Sequence, residues 1–161
     1  MTNTGLAVEQ LNKSINLMQK LQGTHFVLMT SAWAAHWNVT GAGFAATHEF
    51  LKTLYEAEQE RVDACAERIR ALGGSALNTF HALMEQSTMA DLPAMPVGME
   101  QNAILQHLAD KWEATIRTVR DCRALTPQDD FATASMLEQM LEQMEKEAWM
   151  LNAHIPAVRT E

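Results

Sequence analysis

Apolar residues recur at helical spacing along most of the chain. In the first stretch, about 6–38, Leu11, Ile15, Met18, His25, Leu28 or Met29, and Ala32 fall on one face at steps of three, four or seven. That is the period of an amphipathic helix. Gly41-Ala42-Gly43 breaks the pattern. The second stretch, about 46–72, keeps it with His48, Leu51, Tyr55, Val62, Ile69 and Leu72, and Gly73-Gly74 supplies the stop. Segment 75–98 differs. Pro93, Pro96 and Gly98 resist a long helix, while Leu77, Phe80, Leu83 and Met84 predict one short helix inside a long crossover. A third long helix follows over about 100–125, with Ile104, Leu108, Trp112, Ile116 and Val119 in register. Thr126-Pro127-Gln128-Asp129 then reads as a start signal, with Thr126 as cap, Pro127 in the first turn and an acid three residues after the cap. The last helix runs to about 153, with Leu137, Met140 or Leu141, Met144, Ala148 and Leu151 inward, and Pro156 ends it.

Four long helices, tight links after the first and third, and a long link between the second and third match one topology. It is an all-α, ferritin-like four-helix bundle with a short helix in the long crossover. At 161 residues the chain fits a single domain spanning 1–161. Its seven Gly and four Pro are too few for the many turns of an all-β fold.

Charge and cysteine content exclude several functions. The net charge of −8 opposes general binding to phosphate backbones. Two cysteines cannot build a disulfide framework or a Cys-rich zinc site, and they suit a reducing compartment. The first ten residues lack the basic start and apolar core of a signal peptide, and no run of 18 apolar residues offers a membrane span. A soluble cytoplasmic protein is the expectation.

Candidate chemistry concentrates between residues 36 and 67. His36 lies near the end of the first helix and His48 opens the second, with Asp63 and Glu67 further along it. On a helical wheel Asp63 and Glu67 fall about 60° and 100° from His48, so the three share a sector. Yet His48 and Asp63 stand more than roughly 20 Å apart along the axis, so one chain cannot close a site from them. Two chains paired antiparallel about a twofold axis would bring the histidines of one to the acids of the other. His and carboxylate together suit Fe(II), Zn(II) or Mn(II). The competing reading makes the histidines plain interface residues and pairs the acids with Arg61, Arg68 or Arg70.

The chain resembles the Dps family of mini-ferritins. The resemblance rests on His36-Trp37-Asn38-Val39-Thr40-Gly41, Phe44, His48-Glu49, Asp63-Ala64-Cys65-Ala66-Glu67-Arg68 and Leu72-Gly73-Gly74. A weaker likeness extends over 129–151, through Thr133, Leu137, Lys146 and Trp149-Met150-Leu151. It implies a hollow homo-oligomeric shell of twelve subunits, with metal sites shared across a twofold dimer interface. It also implies that Fe(II) is oxidised there, usually by hydrogen peroxide, and stored inside as ferric oxide. On this resemblance His36 and His48 come from one subunit, and Asp63 and Glu67 from its partner, as metal-binding and catalytic residues. Iron is the implied metal, with zinc and manganese as alternatives. Some relatives bind DNA through lysine-rich tails. Here Arg159 is the one basic residue of the two ends, and twelve copies would carry about −96 charges, so DNA binding is not expected.

One position departs from the family pattern. Where the family has an Asp four residues after the second histidine, this chain has Lys52. One helical turn places Lys52 beside His48. An ammonium has no acceptor and repels a metal cation. His36 with Asp63 and Glu67 could still hold one metal; the second position loses its acid. The alternative function is therefore a shell-forming protein whose ferroxidase centre Lys52 impairs or disables. Lys52 is expected to pair with Glu67 or Asp63 of a second chain, or with its own Glu56. The alternative is that it snorkels into solvent.

Weaker signals add little. His48-Glu49 opens like His-Glu-x-x-His but meets Lys52 at the fifth position, and Glu-x-x-His occurs nowhere. Met136, Met140 and Met144 form a stripe that core packing explains, with soft-metal or haem ligation as the alternative. Cys65 and Cys122 read as buried thiols. His25, His81, His107 and His154 have no partner spacing and no role is assigned to them.

Overall fold

The computed structural model describes residues 4–89 and 100–155. Five helices follow in order: α1 Val8–Asn38, α2 Phe44–Ala71, α3 Phe80–Gln86, α4 Gln101–Leu125 and α5 Phe131–Ala153. The four long ones have 31, 28, 25 and 23 residues, enough to form a bundle around one apolar core. The expected ferritin-like four-helix bundle is therefore present, with short α3 in the crossover. Pro93, Pro96, Gly98 and Pro156 lie outside the described residues.

The register follows the apolar period. Leu51, Leu54, Cys65 and Ile69 turn α2 inward, into one core with Met18, Leu21, Leu28 and Ala32 of α1. Trp112 of α4 and Leu137, Met144 and Leu151 of α5 complete the fully buried core. Burying each such side chain contributes about 1.5–3 kcal/mol. The α1–α2 turn is tight because Gly41 and Gly43 take φ of 116° and 75°, a backbone region that disfavours any Cβ. Gly23 serves close packing instead. A Cβ there would run into the backbone carbonyl of Leu83, so glycine lets α3 dock against α1.

One expectation fails. Thr126 does not cap the last helix. It closes α4, where its Oγ1–H donates to Cys122 O at 2.9 Å. The cap of α5 is Asp130, whose Oδ1 accepts from Thr133 N at 3.1 Å. The same carboxylate accepts from Ser14 Oγ at 2.6 Å and Arg68 Nη2 at 2.8 Å, so three helices meet on it. Burial works against the charge of Asp130, but the hydrogen bonds of Ser14 and Thr133 and the charge of Arg68 outweigh it. They hold its carboxyl below the usual range. Thr126 offers no such partners, which is why the helix starts four residues later.

Candidate metal centre

His36 on the last turn of α1 and His48 on the first turns of α2 face each other across the five-residue turn. Their rings stack with centroids 3.7 Å apart. His36 Nδ1–H donates to His48 O at 2.9 Å, and His48 Nδ1–H donates to His36 O at 3.0 Å. A carbonyl only accepts, so each Nδ1 carries a proton, and Nε2 is the nitrogen left to take a ligand. This is the tautomer that a metal-binding imidazole needs. Phe44 and Tyr55 pack on the pair, the first tilted against His48 at 5.0 Å and the second edge-on to His36 at 5.3 Å. Both histidines remain half-buried, with Trp37 and Phe44 exposed nearby.

Asp63 and Glu67 lie near the other end of α2, both exposed. They do not join the histidines: among the described residues no cluster of three or more potential ligands can hold a metal ion. Nor do they take the arginines offered as alternative partners. Arg61 binds Glu58 and Glu147, Arg68 binds Asp130 and Thr133, and Arg70 donates to Gly74 O. Asp63 borders an open groove of about 900 Å³ lined by Phe26, Met29, Val62, Phe80 and Leu83. Lys52 pairs with Glu56 of its own chain at 3.9 Å, with both side chains about half exposed. So loose a pair contributes little.

A second polar constellation sits at the centre of the bundle, around His25, to which the sequence pattern gives no role. That ring is fully buried; its Nδ1–H donates to Glu58 Oε2 at 2.7 Å, and its Nε2 lies 3.1 Å from Met140 Sδ. Glu58 Oε1 accepts from Arg61 Nη1 at 2.6 Å, and Arg61 Nη2 donates to Glu147 Oε1 at 2.7 Å. Burial opposes the charge of Arg61, but the two carboxylates outweigh it and hold the guanidinium charged. Burial pushes the Glu147 carboxyl up, against the pull of Arg61. Arg61 Nε and Glu147 Oε2 meet no partner among the described residues. One signal is available in the sequence: Glu58 stands midway in the heptad Leu51, Glu58, Cys65, Leu72, the other three being buried apolar residues. A charge at an inward position requires a buried partner. The partners themselves, from α1 and α5, come from distant parts of the chain.

Cys65 and Cys122 are free and buried, as expected. Burial pushes both thiols up, Cys122 to about 11. No helix among the described residues is long and apolar enough to cross a membrane.

Comparison with known proteins agrees with this fold. The ferritin-like domain family matches residues 9–160. A low temperature-induced protein of Nostoc, itself uncharacterized, is 32% identical over 95% of this chain and 86% of its own. A DNA protection during starvation protein of Brevibacillus brevis is 29% identical over 86% of this chain and 92% of its own. Among solved structures, a tetragonal form of Mycobacterium smegmatis Dps superposes with a TM-score of 0.89 at 25% identity, covering 98% of this chain and 94% of that one. The chain belongs to the ferritin-like family, in its Dps branch.

Proposed function

We propose that this protein is a mini-ferritin that binds Fe(II) between subunits, oxidises it and stores the ferric product in a hollow shell in the cytoplasm. The observation that carries the reading is the crossed pair of Nδ1 hydrogen bonds between two stacked rings, which leaves Nε2 of each imidazole to take a ligand. In this reading a second copy supplies Asp63 and Glu67, whose carboxylates are exposed and are not taken by Arg61, Arg68 or Arg70. The apolar groove beside Asp63 and the exposed Trp37 and Phe44 suit burial against that copy.

Fe(II) is the substrate. His36 and His48 of one chain and one or both carboxylates of the other hold it, and hydrogen peroxide takes its electrons, which removes two reactants that damage nucleic acid when free. Two carboxylates offset the charge of the ion, and the fixed tautomers lower the reorganisation needed on binding. Assembly into twelve subunits follows the family resemblance. The acidic chain leaves the shell without affinity for DNA.

A second reading is favoured by Lys52. It stands one turn after His48, in a loose pair with Glu56, and in this reading puts a cation beside the metal position. In that reading the shell assembles but oxidises iron poorly. Stopped-flow mixing of Fe(II) with hydrogen peroxide separates the two. Oxidation well above the protein-free rate supports the mini-ferritin; a rate equal to buffer supports the disabled shell.

A further inference from the structure

We propose that His25 and Met140 form a site for a soft monovalent cation, Cu(I) or Ag(I), at the centre of the bundle, entered through the groove between α2 and α5.

The argument begins with charge. Glu58 and Glu147 bring two negative charges into the bundle, and Arg61 between them returns one positive charge. The remaining negative charge faces the buried ring of His25, whose Nδ1 meets Glu58 at 2.7 Å. The two ring nitrogens face a carboxylate oxygen and a thioether sulfur. A monovalent metal ion on Nε2 would offset the one remaining negative charge, whereas a divalent ion would leave an excess positive charge in a low-dielectric interior.

Ligand chemistry narrows the choice further. Thioether sulfur is a weak hydrogen-bond acceptor but a good ligand for soft cations such as Cu(I). The sulfur of Met140 sits 3.1 Å from Nε2, so one ion can touch both. Glu58 on Nδ1 supplies the carboxylate–histidine arrangement that orients metal-binding imidazoles and raises their basicity. Core packing accounts for a buried methionine. It does not account for a sulfur placed against an imidazole nitrogen whose other nitrogen is pinned by a carboxylate. Cys65 is buried on the same helix as Glu58, but burial pushes its thiol up, so it offers no thiolate. Trp112 faces Arg61 from α4, with the guanidinium 6.0 Å from its ring centre, and adds no ionisable group.

Access is built in. A groove of about 560 Å³ runs between α2 and α5, and Met140 is on its wall with Arg61, Ala64, Gln139 and Gln143. Met136 lines it too, one turn before Met140, so an entering soft ion meets a thioether on the way in. The methionine stripe of α5 thus becomes a path as well as a packing surface.

The test is an anaerobic titration of the assembled protein with Cu(I) in the presence of excess bicinchoninate, beside the Met140→Leu variant. Leucine keeps the volume and removes the sulfur. The wild type should retain about one Cu(I) per chain more than the variant. Excess Zn(II) should not displace it. X-ray absorption of the loaded wild type should show a sulfur bound to copper, and this decides the matter even if the variant does not fold. Equal retention by wild type and variant, or copper bound only by nitrogen and oxygen, would overturn the proposal.

Discussion

His36 and His48 lock each other through backbone, not through ring nitrogens: each Nδ1–H reaches the other residue's carbonyl, at 2.9 and 3.0 Å. Replacing one ring with alanine therefore leaves the other's acceptor in place. Each single variant, His36→Ala or His48→Ala, should lose one nitrogen ligand and weaken Fe(II) binding by about 10–100-fold. The double variant should show no saturable binding at all. Anaerobic calorimetric titration makes the comparison. A single variant as silent as the double one would mean that the surviving ring had lost its orientation.

Lys52 probes the limits of the site. Lys52→Asp replaces a cation one turn from His48 with the acid that the family carries there. It should raise the metal count from about one per site towards two and speed oxidation, since an ammonium repels what a carboxylate binds. Metal analysis after anaerobic loading, with stopped-flow rates, reads both effects. Unchanged values would mean that Lys52 points away from the metal.

Asp130 governs acid stability. Its folded carboxyl is held below the ordinary value, so its contribution is fully present above the unfolded pKa, about 3.9. It drains away as pH falls below that value and through the folded one. Asp130→Asn keeps an acceptor for Thr133 N but removes the charge that Arg68 meets. The variant should be less stable by about 1–3 kcal/mol near pH 6, and the gap should begin to close below about pH 4. Urea midpoints across pH 3 to 6 would reveal a constant gap if the account is wrong.

The long helices are legible in the sequence because their apolar period is local. Such spacing needs no partner to be read: Ile104, Leu108, Trp112 and Val119 declare their face within one helix. The glycines of the 41–43 turn are equally plain. The start of α5 is misleading because Thr126-Pro127 carries a good local signal. Asp130 wins through Ser14 and Arg68, which are 116 and 62 residues away in sequence. The same limit hides His25: its partners are 33 and 115 residues away. Of the candidate site, the meeting of His36 with His48 follows from the short turn. The tautomers do not, because they depend on two carbonyl positions.

The central network should be costly to break although it adds little net stability. Glu58 is fully buried between His25 and Arg61. Glu58→Ala leaves both without their shared acceptor and should destabilise the fold by about 3–5 kcal/mol. The exposed Lys52–Glu56 pair offers a control, since Glu56→Ala should change stability by less than about 0.5 kcal/mol. Chemical denaturation of both variants would contradict the account if they lost equal stability.

A hybrid-shell experiment tests the shared site most directly. One variant carries His36→Ala with His48→Ala; the other carries Asp63→Asn with Glu67→Gln. Each alone should be inactive in Fe(II) oxidation. Co-assembled in equal amounts, half of the dimers pair unlike chains, and each of those holds one intact site of two. Mixed shells should therefore regain about a quarter of the wild-type rate. Mixed shells no more active than the two parents would contradict a site built from the histidines of one chain and the carboxylates of another.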